Sequence, residues 1–76
     1  MSQFGRDLIP SLKCRYLSEI QDSRSNLQTY MNKQIGIDEY TQHIVNIDNL
    51  INNIIINRNK LQILNNELGE KDNNLG

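Results

Sequence analysis

The fold is decided by residues 40–68, which read YTQHIVNIDNLINNIIINRNKLQILNNEL. Apolar side chains recur in this stretch in alternating steps of four and three, the spacing that places side chains on one side of a helix. A strand over Ile54-Ile55-Ile56 is the competing interpretation, but the helical spacing extends to both sides of these residues and no two-residue alternation is present. We therefore predict a helix from about residue 39 to 67, with a coiled-coil-like seam. The seam comprises Tyr40, Ile44, Ile47, Ile51, Ile54, Arg58, Leu61, Asn65 and Leu68.

A similar apolar spacing upstream predicts a first helix over about residues 11–33. Gly36 follows at a position suited to ending that helix in a left-handed conformation, and Asp38 is placed to cap the next one. The expected fold is all-α: an antiparallel two-helix hairpin with its turn at residues 34–38. Residues 1–10 form an N-terminal segment in this prediction, and residues 69–76 form a disordered tail.

The second helix carries more apolar surface than one neighbouring helix covers. Val45, Ile55, Ile56 and Ile63 lie off the seam, and two helices alone rarely hold together in water. We expect self-association or a partner chain to complete the hairpin, although Phe4, Leu8 and Ile9 could instead fold over its open end. The predicted partner-binding residues are Ile47, Ile51, Ile54, Ile55, Leu61, Leu64 and Leu68.

The composition argues against several classes of function. Eight basic residues oppose nine acidic ones, so no broad positive field is present to bind nucleic acid. No apolar run approaches the length that spans a bilayer. The single cysteine, Cys14, fits a reducing, intracellular (cytoplasmic) location, and the single histidine, His43, predicts neither a metal site nor a cofactor.

Part of the chain carries an ordered set of residues found in a known family. Ile20, Arg24 and Leu27 share the first helix, Gly36-Ile37 forms the turn, and His43, Ile47-Asp48 and Leu50-Ile51 follow on the second helix. This order resembles the two-helix sporulation regulators of the stage-zero E type, which dephosphorylate the aspartyl-phosphate of a response regulator. Where that family has Ser-Gln-Glu-Leu-Asp, this chain has Ile44-Val45-Asn46-Ile47-Asp48. The resemblance implies that Asp48 corresponds to the functional aspartate.

Three hypotheses about function follow from the sequence. The first is a small noncatalytic interaction module, such as an adaptor, co-chaperone or regulator, that docks the apolar face of its second helix on another protein or on its own copy, as a heterocomplex or a homodimer. The second is a response-regulator aspartyl-phosphate phosphatase acting through Asp48, which is the one catalytic candidate. The third is a structural subunit of a larger assembly.

Overall fold

The computed structural model describes the backbone of residues 2–68 and the side chains of residues 8–68. Helix α1 is Ser2–Met31, a 3-10 turn covers Ile37–Glu39, and helix α2 is Tyr40–Ile63. One π-helical turn, Leu64–Leu68, ends the described chain. The two long helices pack against each other, which confirms the all-α helical hairpin. The predicted disordered tail lies outside the described residues.

Helix α1 begins well before the predicted start at about residue 11 and passes through Pro10. Proline has no N–H to donate within a helix, but its fixed φ angle is compatible with the helical backbone. Leu12 and Tyr16, just beyond Pro10, share an apolar hollow with Leu64 and Leu68 at the far end of α2. The N-terminal residues are therefore part of α1 and not a separate segment, and the side chain of Phe4 lies outside the described ones.

The turn between the helices differs from the predicted geometry. Gly36 has φ −85° and ψ 167°, which is an extended conformation and not a left-handed one. The N–H groups of Asn32 and Lys33 already donate to carbonyls in the last turn of α1, so no left-handed residue is needed there. Asp38 lies inside the 3-10 turn, and Glu39, the N-cap residue of α2, makes no side-chain capping bond. The predicted capping role of Asp38 is wrong.

The face of α2 that packs against α1 differs from the predicted seam. Ile47, Ile54, Leu61 and Asn65 of that seam are partly buried, but Tyr40, Ile44, Ile51, Arg58 and Leu68 are exposed. The face that meets α1 instead includes three asparagines that lie outside the predicted seam. It is formed by His43, Asn46, Leu50, Asn53, Asn57 and Leu64, together with the half-buried residues of the seam.

The core of the hairpin is correspondingly thin and half polar. Among the described side chains, the buried ones are Ile20, Leu64, Ser23 and Asn57. The molecule measures 55 × 22 × 15 Å, with a radius of gyration of 17.1 Å, whereas a compact domain of this length has a radius of about 11 Å. The fold is a rod made of one pair of helices, and most of each helix faces outward.

Candidate docking surface

A hydrogen-bond network in the middle of the rod fixes how α2 is rotated against α1. Asn53 Nδ2 donates to Ser23 Oγ at 2.7 Å and to Glu19 Oε1 at 3.3 Å. Asn57 Nδ2 donates to the Asn53 carbonyl at 2.8 Å and to Asn53 Oδ1 at 3.2 Å. Because Ser23 and Asn57 are buried, these groups would be costly to leave without partners. The network therefore opposes both sliding and rotation of α2.

A second set of contacts near the turn has the same effect. His43 Nε2 lies 2.9 Å from the carbonyl oxygen of Tyr30, and since a carbonyl only accepts, the ring nitrogen is the donor. The two rings also meet edge to face, with centroids 5.1 Å apart. Asn46 Nδ2 donates to the hydroxyl of Tyr30 at 3.3 Å. Both polar contact sets turn the same side of α2 toward α1.

The rotation leaves a row of large apolar side chains on the outside of α2. We call it the outer stripe and define it as Tyr40, Ile44, Ile51 and Ile55, which are 59, 48, 41 and 50% exposed. Steps of four, seven and four residues place them on one side of the helix. Ile47 and Ile54 are half-buried and form the margin between this stripe and the interior.

A second exposed row on α2 is less apolar. Val45, Ile56 and Ile63 are exposed, but Asn49, Asn52 and Asn59 lie between them on the same side of the helix. A hollow of about 530 Å³ adjoins this row and is lined largely by amides. The outer stripe is therefore the more continuous apolar surface of α2.

The structure divides the predicted partner-binding residues into three groups. Ile51 and Ile55 lie in the outer stripe, and Leu68 is exposed at the end of the π-helical turn. Ile47, Ile54 and Leu61 are half-buried. Leu64 is 4% exposed, because the hairpin covers it where it meets Leu12 and Tyr16, so it is not accessible to a partner. Tyr40 and Ile44 were missing from the predicted binding set, although the heptad spacing already placed them beside Ile51.

The residues that carry the family resemblance are distributed over both faces. Ile20 is buried and Leu27 is half-buried, whereas Arg24 and Asp48 are exposed. Ser23, the neighbour of Arg24, contacts Asn53, and Asp48 lies five residues before Asn53, about 7.5 Å along the helix axis. No ion pair joins Arg24 to Asp48 within residues 8–68, where the polar contacts between the helices come from amides, hydroxyls and His43. Asp48 is placed on the outer side of α2, between Ile44 and Ile51 along the helix.

Other kinds of site find little support in the part of the chain that the structure describes. No three His, Cys, Asp or Glu side chains gather there in an arrangement that could hold a metal ion. None of the described helices has both the length and the apolar character needed to cross a membrane. No protein-family model, curated protein or solved structure matches this chain. The outer stripe is the candidate functional site that the geometry singles out.

Proposed function

We propose that this protein is a noncatalytic interaction module whose outer stripe docks on the apolar face of a protein partner. The observation that carries the proposal is the exposure of four large apolar side chains in one row on a helix whose other side already packs against α1. Contiguous apolar rows of this kind on a small protein mark interaction surfaces. An adaptor, co-chaperone or regulator would use such a surface.

The energy available from covering the stripe is appreciable for so small a molecule. Complete burial of a large apolar side chain contributes about 1.5–3 kcal/mol, so covering the exposed halves of four of them contributes about 3–6 kcal/mol. A thin hairpin core supplies little more than that. Docking would therefore both form the complex and stabilise the fold.

The surrounding hydrogen bonds support a rigid docking face. Ser23, Asn53 and Asn57 fix the rotation of α2, so the stripe does not need to be assembled when a partner arrives. A preorganised surface loses less conformational freedom on binding than a mobile one. The phosphatase role of Asp48 and the role of structural subunit stay predictions from the sequence.

Protection of an engineered cysteine in native cell extract tests the proposal. In a Cys14→Ser background, Ile51→Cys places a thiol in the outer stripe, and the neighbouring Asn52→Cys places a matched thiol outside it. We expect a maleimide reagent to label position 51 much more slowly in extract of the native cells than in dilute purified protein. Position 52 should be labelled at similar rates in both.

The control separates burial from other causes of slow labelling. If extract components merely consumed the reagent, positions 51 and 52 would be slowed equally. Unchanged labelling of position 51 relative to position 52 would show that the stripe is open to solvent in its native setting, and the proposed function would be wrong.

A further inference from the structure

We infer that the partner covering the outer stripe is a second copy of this chain, paired antiparallel through α2. The inference rests on the proposed function, because it names the occupant of the same surface. It depends on the pattern of charges that accompanies the stripe.

The central part of the stripe has a negatively charged side chain at one end and a positively charged one at the other. Asp48 precedes Ile51 and Arg58 follows Ile55, and all four side chains are exposed. Helical spacing places Asp48 and Arg58 on the stripe's side of α2. Neither of these two charged side chains makes an ion pair within residues 8–68, since their polar atoms enter none of the described contacts.

When two copies of α2 pair antiparallel about position 53, the apolar and charged side chains of one copy face complementary side chains of the other. Ile51 then lies opposite the partner's Ile55, and Asp48 lies opposite the partner's Arg58. A two-fold axis repeats every contact, as in the isologous interfaces of most homodimers. The result is a central cluster of four isoleucines with an ion pair at each end, and the next layer outward places Ile44 against the partner's Gln62.

Other arrangements of the same two helices bring like charges together. A parallel pair places Asp48 beside the partner's Asp48, and Arg58 beside the partner's Arg58. An antiparallel pair shifted toward the N-terminal end places Ile44 opposite the partner's Ile51 and Tyr40 opposite the partner's Ile55, so it pairs more apolar side chains, but it brings the two Asp48 carboxylates next to each other. Repulsion between like charges makes both of these arrangements less favourable. The charges thus select one register.

The surface of a single chain is large enough for this interface. The chain as a whole exposes 6062 Å². A stable interface of standard size covers about 800 Å² on each partner. A different helical protein would need an apolar row with opposite charges at the same spacing, and α2 itself already has that row.

Reversing the two charges tests the pairing in the full-length protein. Sedimentation equilibrium of purified protein should show a mass twice the 8.8 kDa of the chain. We expect Asp48→Arg and Arg58→Asp each to raise the dimer Kd by about tenfold, because each variant opposes like charges at two places. The double variant restores opposite charges and should return the Kd to within about twofold of the wild type.

Asp22→Arg is the matched control, since Asp22 is an exposed aspartate of α1 that lies on the side of that helix away from α2. It makes the same change in net charge as Asp48→Arg and should leave the Kd unchanged. Circular dichroism verifies that each variant keeps its helix content. A wild type that stays monomeric at every concentration, or a double variant as weak as the single ones, would overturn the inference.

Disulfide formation between two single-cysteine proteins tests the direction of pairing. In a Cys14→Ser background, Ile44→Cys and Gln62→Cys chains should cross-link only when they are mixed, because position 44 lies opposite the partner's position 62. Cross-linking of Ile44→Cys with itself would show a parallel pair and would contradict the antiparallel register.

The failure of this inference can be told apart from the failure of the proposed function. A monomeric purified protein whose position 51 is still protected in native extract would mean that another protein covers the stripe. A monomeric protein with no protection at position 51 would contradict both.

Discussion

At the scale of single residues, the interior of the rod is held as much by amides as by apolar side chains. Asn53 connects the buried Ser23 of α1 with the buried Asn57 of α2. A buried hydroxyl that loses its partner costs about 1–3 kcal/mol, more than the net gain from an ordinary hydrogen bond. The asparagines therefore make misaligned pairings of the two helices unfavourable, at some expense in apolar burial.

Asn53→Ala should consequently destabilise the hairpin. It removes the bond to Ser23 and one acceptor of Asn57, and we expect the free energy of unfolding to fall by about 1–2 kcal/mol relative to Asn52→Ala. The Asn52→Ala variant has the same change in helix propensity at an exposed position, so the difference isolates the buried contacts. Urea denaturation followed by circular dichroism measures both variants. Equal stabilities would show that the network contributes nothing.

At the scale of secondary-structure elements, the turn is the part whose geometry the sequence predicts least well. Gly36 is extended, and a Cβ atom added there would have no heavy atom within 4 Å. Glycine at such a position serves no steric need. The turn is closed by the Glu39 N–H, which donates to the Gly36 carbonyl at 3.1 Å.

Gly36→Ala should therefore stabilise the protein by about 0.4–1 kcal/mol, because alanine restricts the unfolded chain and fits the native backbone angles. If residue 36 were left-handed, the same substitution would instead lower the free energy of unfolding by about 1–2 kcal/mol. Thermal and urea unfolding of the variant distinguish the two. A loss of stability would mean that the extended conformation of Gly36 is wrong.

The same scale shows what could be predicted from the sequence. The spacing from Tyr40 onward predicted the long second helix, and Gly36 indicated where the chain turns. Which side of α2 meets α1 could not be read from apolar spacing, because that spacing favours the side with most isoleucines. The choice depends on Ser23 and Tyr30 of α1, whose oxygen atoms pair with asparagines and His43 across the interface. Such pairings are visible only when both helices are in place.

At the scale of the whole molecule, the rod has a small apolar interior in the part that the structure describes. Among the side chains of residues 8–68, the buried apolar ones are Ile20 and Leu64, which is a small number for so long a pair of helices. Under the proposed docking, an interface between molecules would add to the small stabilisation that this interior supplies. A partner that binds only the folded chain would stabilise it by mass action, in proportion to the logarithm of the partner's concentration.

The melting temperature should accordingly rise with protein concentration. About a hundredfold increase in concentration should add up to about 2.7 kcal/mol, which corresponds to an increase in Tm on the order of 10 °C for a domain of this size. Ile51→Asp should abolish this dependence, because it would bury an unpaired charge in the interface. Differential scanning calorimetry at several concentrations measures both proteins. A wild-type Tm that does not change with concentration would rule out stabilisation by self-association.

The placement of the amides on one side of α2 and the isoleucines on another separates two tasks within a single helix. Ser23, Asn53 and Asn57 hold the two helices in register, while the residues of the proposed docking surface lie elsewhere on α2. Under the proposed docking, substitutions at positions 44, 51 and 55 would change recognition while leaving the hydrogen bonds between α1 and α2 in place. The hairpin is in this sense a scaffold on which new specificities can be built by changing a few outward side chains.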